Sequence, residues 1–219
     1  MTIEILCQQF VSGILQTSLL EFIAVILGIS SVYYARKENI LVYPTGILST
    51  TIYIYLCFVA GLFAEASVNF YYTMMSIIGF MAWRKHNYRL QLTTSTPTQW
   101  VVSVIYFSLS WLLLYLILKT FTMSTVAAAD AFAAATAYTG MWLMTRKKLE
   151  NWIWWITTNI ACVPLYFIKG YVFTSFQYVV FFVLSVMGYV EWRKKILAPN
   201  VVEATPQRPL TRVYNRGQG

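Results

Sequence analysis

Charge is scarce in this chain of 219 residues, and acidic charge scarcest: eight Asp and Glu stand against sixteen Lys and Arg, with one histidine and three cysteines. A single His and no clustered carboxylates argue against a haem or a metal centre. His86 lies among Arg84, Lys85 and Arg89 in a basic loop, where a solvated imidazole is the expectation. Cys7, Cys57 and Cys162 are far apart without metal-ligand spacing, and the latter two sit inside apolar runs as small packing residues. No Ser-His-Asp, Walker A or zinc motif occurs, so neither an enzyme nor a bound cofactor is expected.

What the chain has instead is apolar surface. Hydrophobic residues make up 58% of it and charged ones only 11%, more apolar surface than a soluble domain of this length can hide. Apolar runs of about 20 residues, one bilayer crossing each, recur along nearly the whole length. They predict an all-α polytopic membrane protein with seven helices near 18–35, 40–59, 64–83, 98–118, 126–145, 152–168 and 172–191. The first 16 residues lack a basic n-region, so the first long run reads as a span and not as a cleavable signal.

The basic residues segregate by loop. Arg36, Lys37, Arg84, Lys85, Arg89, Arg146, Lys147, Lys148, Arg193, Lys194, Lys195, Arg208, Arg212 and Arg216 fall on one side; Lys119 and Lys169 fall on the other. The positive-inside rule then places the N-terminus outside and the C-terminus in the cytoplasm. The net charge of +8 is therefore a topology signal and not a footprint for nucleic acid. Glu21, Glu65 and Asp130 fall near outer helix ends, and Glu38, Glu150, Glu191 and Glu203 on the cytoplasmic side. No carboxylate is left at the midplane, where proton or sodium coupling usually requires one.

Two stretches are alike: "GLFAEASVNFYYTMMSIIGFMAWRK" (61–85) and "GYVFTSFQYVVFFVLSVMGYVEWRK" (170–194) share Gly61/Gly170, Ser76/Ser185, Gly79/Gly188 and a Trp-Arg-Lys ending at an offset of 109. Two three-helix units flanking a single helix run in the same direction, a parallel repeat that places a site between the halves. The expected organisation is an N-terminal segment (1–17), a first repeat (18–83), a polar loop with the linker helix (84–125), a second repeat (126–195) and a disordered tail (196–219).

In "NWIWWITTNIACVPLYF" (151–167), Trp152, Trp155, Asn159, Cys162 and Tyr166 share one helical stripe. Trp152 alone fits an interfacial aromatic belt, but Trp155 and Asn159 lie deeper. A mid-helix asparagine needs partners, either a neighbouring helix or a ligand. Carried back by 109, the stripe falls on Tyr43, Gly46, Thr50, Tyr53 and Cys57, so that Trp155 faces Gly46 across an axis and leaves a slot; pairing the two Glu-Asn dipeptides would require 112 instead. By facing position, Asn69 and Tyr72 of span three and Gln177 of span seven join a polar-lined path, although each alone reads as packing or helix glue.

The Trp152-x-x-Trp155-x-x-x-Asn159 motif, preceded by Glu150-Asn151 and followed by "VPLYFIKGYVFTSFQY" and "GYVEWRK", resembles the PnuC family of bacterial nicotinamide riboside transporters, as "NILVYPTGILSTTIYIYL" (39–56) resembles that family's second helix. The resemblance spans roughly residues 20–195. It implies a seven-helix 3+1+3 core related in plan to the SWEET proteins, carrying its substrate by facilitated diffusion with alternating access. Cytoplasmic kinases would trap the riboside by phosphorylation, in the inner membrane of a bacterium. Trp152, Trp155 and Asn159 would contact substrate, the indoles holding the pyridinium ring by about 0.5–2 kcal/mol each. A related thiamine carrier and a non-transporting ligand sensor are the alternatives.

Overall fold

The computed structural model describes residues 8, 11–12, 18–59, 63–85, 91–121, 126–169 and 171–198. His86, Arg89, Gly61, Gly170 and the segment from 199 onward lie outside the described residues. Among them are seven long helices: α1 (Leu19–Arg36), α2 (Val42–Val59), α3 (Phe63–Lys85), α4 (Pro97–Phe121), α5 (Ala127–Thr145), α6 (Asn151–Ile168) and α7 (Val172–Leu197). Each coincides with a span expected from the apolar runs. The last continues to Leu197 instead of ending near 191, because its charged end finds partners: Glu191 meets Arg36 and Lys195 meets Glu38.

Local chemistry sets the helix starts. Ser18 caps α1, its hydroxyl accepting from Glu21 N at 3.1 Å. At α4, Thr96 and Gln99 bond each other's backbone N–H reciprocally, with Pro97 at the first helical position, a capping box that stops the polar loop cleanly. Length and composition suffice for membrane crossing in α1, α2, α4 and α7. The remaining three helices carry most of the interior's small, polar and aromatic side chains. The α4 helix buries only Ser103, so its apolar surface faces outward nearly all round, as lipid requires.

Six helices close a ring. Within each triplet the middle helix packs on both neighbours, α1–α2–α3 and α5–α6–α7, and the triplets meet where α1 touches α7 and α3 touches α5. The α4 helix packs on α5 from outside.

The two triplets repeat their contacts 109 residues apart. The Tyr43 ring lies on Gly79 and meets Trp83 edge-on at 5.1 Å; the Trp152 ring lies on Gly188 and meets Trp192 edge-on at 5.4 Å. Gly46 abuts Ser31, as Trp155 abuts Gly140. Even the helix-ending corners correspond, with Glu38 at φ 56° and Lys147 at φ 51°, both in the left-handed region. An offset of 112 matches none of these pairs.

Candidate functional site

The ring's interior is aromatic on one side. Trp155 of α6, Tyr72 of α3 and Tyr138 of α5 come together: Tyr72 lies 6.3 Å from Trp155, tilted by 48°, and 6.1 Å from Tyr138, edge-on at 86°. The three helices that supply them flank the α3–α5 seam, so the first triplet contributes one wall and the second triplet two. Each ring keeps part of its surface accessible although it belongs to the interior of the bundle. Deeper along α6, Cys162 packs with Tyr166 and Tyr178, which stack at 5.1 Å. Three aromatic rings that meet at the seam between the triplets and stay partly accessible can take a flat ring against their π-faces, above all a cationic one.

Second-layer contacts hold the box. Tyr138 stacks on Tyr71 at 3.8 Å, and the Tyr71 hydroxyl pairs with Tyr106 of α4 at 2.9 Å while donating to Tyr138 O at 3.2 Å. The lipid-facing linker helix thus braces the site through one hydroxyl pair. Behind Trp155 stands Gly140, where a Cβ would fall 3.2 Å from the indole nitrogen. A side chain there would push the indole back by a few tenths of an ångström.

The residues singled out by sequence divide into two groups. Trp155 and Tyr72 meet in the box. Trp152 and Tyr43 instead are closed in by protein, 1% and 0% exposed, each filling the hollow over a glycine near one end of the bundle. Trp152 is thus neither a belt residue in the headgroups nor open to the cavity; it is a core ring. Gly46 meets Ser31 and Ser76, so the slot opposite Trp155 is made by Gly140 and not by Gly46. Asn159 donates to Ser185 Oγ at 3.0 Å, and Thr50 pairs with Thr73 at 2.7 Å; both join the second helix of a triplet to its third. Asn69 spends its amide on Glu65 O at 2.9 Å, one turn back on its own helix. Gln177 of α7 hydrogen-bonds the Tyr53 hydroxyl of α2.

Tyr138 is the wall that sequence reasoning missed. Its signal was present: in "AAADAFAAATAYTG" it is one of two aromatic rings among alanines.

The described carboxylates stay at the helix ends. Asp130 pairs with Lys169 at one end, and Glu38, Glu150 and Glu191 are bonded at the other. Among the described residues no group of three or more His, Cys, Asp or Glu side chains could hold a metal ion.

Known proteins agree with this geometry. A family profile described as nicotinamide mononucleotide transporter matches residues 18–194. The nicotinamide riboside transporter PnuC of Neisseria mucosa is 25% identical over 194 residues, covering 82% of this chain and 73% of its own length. The PnuC of Escherichia coli K12 is 23% identical over 207 residues, 80% of this chain and 85% of that protein. A crystal structure of the vitamin B3 transporter PnuC superposes with a TM-score of 0.68 at 25% identity, covering 86% of this chain and 87% of that one. A shorter match, 30% over 79 residues, links 35% of this chain to the riboflavin/roseoflavin transporter RibM of Streptomyces davaonensis. With the profile running through all seven helices, the chain belongs to the nicotinamide mononucleotide transporter family.

Proposed function

We infer that this protein carries nicotinamide riboside across a bacterial cytoplasmic membrane, binding it in the Trp155–Tyr72–Tyr138 box. The observation that carries the reading is an aromatic box with accessible faces, enclosed by six helices, in a chain whose full-length relatives are named as riboside transporters. The pyridinium of the riboside is a flat cation, and three π-faces attract it without a buried carboxylate. Asn159 supplies amide chemistry for ribose hydroxyls or the carboxamide beside its bond to Ser185.

Riboside is favoured over the mononucleotide of the family's name by the placement of cations. Every described Lys and Arg lies at a helix end or in a connection, including Arg36, Lys119, Lys147 and Lys169. A phosphate in the interior would be left without a positive partner, which is costly.

Transport is facilitated diffusion in this reading, because the described acidic groups stay out of the interior. The basic loops face the cytoplasm, with the C-terminus there and the N-terminus outside. A cytoplasmic riboside kinase would trap the product by adding charge that the cavity cannot hold.

Flux into liposomes that contain only the purified protein tests this. Saturable uptake of labelled riboside is expected without any ion gradient, competed by riboside and not by the mononucleotide. Dependence on a proton or sodium gradient would overturn the passive mechanism; equal competition by the mononucleotide would overturn the choice of substrate.

A further inference from the structure

The end of the bundle that carries the basic loops is held shut by charge pairs, and each of them joins one triplet to the other. Arg36 Nε and Lys37 Nζ lie 3.3 Å and 3.8 Å from the two carboxylate oxygens of Glu191, tying the end of α1 to α7. Glu38 reaches Lys147 at 3.5 Å through one oxygen and Lys195 at 2.7 Å through the other. At the opposite end, the Lys169–Asp130 pair stays within the second triplet. Among the described residues, ion pairs between triplets are therefore confined to one face.

Glu38 stands at the centre of this arrangement. It and Lys147 are equivalent corner residues, 109 apart and both left-handed, so their pairing brings the two corners into contact. Their side chains are 19% and 9% exposed, which sets the pair apart from a screened surface contact. Lys147 Nζ also sits 4.5 Å over the Trp83 ring of the first triplet. Behind the charges, Tyr43 on Gly79 and Trp152 on Gly188 fill the space beneath the corners.

The two corners are not held alike. The segment before α4 braces the second one: Thr93 N donates to Lys147 O at 3.3 Å, Leu149 N to Thr93 O at 3.0 Å, and Ser95 donates to both Glu150 oxygens through its N–H and hydroxyl. Lys147 is thereby braced from the loop before α4, whereas the first corner is held from α7, whose Trp192 Nε1 donates to Ala35 O at 3.2 Å and Arg36 O at 3.1 Å.

The closed face also holds buried polar atoms without a protein partner: Tyr43 Oη, Trp83 Nε1, Trp152 Nε1 and Asn151 Oδ1. Leaving such atoms unpaired is costly, so this end of the bundle is not uniformly stabilised.

We propose that Glu38, through Lys147 and Lys195, is the latch that closes the path between the aromatic box and the basic-loop face, and that its release opens that face during transport. The proposal rests on the transporter reading above. Access can be read without any substrate, so the two fail separately.

The native Cys162, buried against Tyr166 and Tyr178, is the reporter in the full chain with Cys7→Ser and Cys57→Ser. A membrane-impermeant maleimide applied from the basic-loop side should label it slowly. Glu38→Gln should raise that rate about tenfold or more, as loss of an enclosed charge pair implies; equal rates with and without the substitution overturn the latch. A second arm does not depend on how Glu38→Gln folds. Glu38→Cys and Lys147→Cys, in a background without other cysteines, are joined by a reducible bifunctional thiol reagent. Riboside flux should stop, resume on reduction, and leave riboside binding in calorimetry intact. Undiminished flux in the joined protein overturns the proposal.

Discussion

Substitution of Gly188 by alanine puts the packing of the second triplet to a numerical test. A Cβ at that position would lie 2.6 Å from Cη2 and Cζ2 of Trp152 and 2.7 Å from Cε2, whereas carbon atoms rest about 3.5–4.0 Å apart. The indole would have to retreat by about 1 Å. Nothing behind it yields. Trp152 is 1% exposed and leans edge-on against Trp192, which is 0% exposed and donates its own Nε1–H to Ala35 O at 3.2 Å and Arg36 O at 3.1 Å. Overpacking costs about 1–3 kcal/mol, and three contacts this short put it in the upper half of that range, about 2–3 kcal/mol. Replacing a helical glycine by alanine returns somewhat under about 1 kcal/mol, so a net loss of about 1–2 kcal/mol remains. For a chain of this size that lowers the unfolding midpoint by roughly 2–8 °C, measurable by thermal unfolding in detergent. Gly140→Ala is the control. Its Cβ would lie 3.2 Å from Trp155 Nε1, and Trp155 borders open space into which it can tilt. That variant should keep most of its stability and lose riboside affinity. A Gly188→Ala protein as stable as the wild type would refute the packing described here, and the assignment of Trp152 to the core with it.

Three further substitutions separate binding from scaffold. Trp155→Ala removes one π-face from the box and should weaken riboside binding in calorimetry by roughly 2- to 30-fold; an unchanged Kd would remove Trp155 from the site. Asn159→Ala deletes the bond to Ser185, which still donates to Phe181 O at 2.7 Å, so the scaffold should lose only about 1 kcal/mol in thermal unfolding. Affinity should fall beyond that loss, and affinity left intact would reduce Asn159 to helix glue. Glu150→Gln places an amide where two oxygens accept from Ser95 at 2.8 and 2.7 Å, costing about 1–3 kcal/mol locally. Faster proteolysis between spans three and four is expected, and an unaltered digestion pattern would show that the brace is dispensable.

Much of this was legible in the chain because lipid is an undemanding solvent to read. Apolar runs long enough to span, basic clusters at their alternate ends and the paired Trp-Arg-Lys endings leave little freedom in helix number or in the plan of the fold. The stripe on α6 was also legible, since helical period places Trp152, Trp155 and Asn159 on one side. Period cannot say how deep the neighbouring helix sits against that side. Trp152 meets a glycine on α7 and is swallowed, while Trp155, one turn on, meets a glycine on α5 and stays partly accessible. Two indoles with the same signature thus have different roles, decided by which helix supplies the glycine.

Sequence alone therefore determined the solvent of this protein, its seven crossings and the two-fold repetition of its contacts, because each follows from hydropathy and spacing along one strand of covalent chain. The tertiary structure decided which rings meet and which charges pair. Tyr72, Tyr138 and Trp155 come from three helices, and Glu38 finds Lys147 only when the two triplets close against each other. Such contacts depend on helix rotation and depth, and these are set by side-chain packing between segments that the linear order keeps apart.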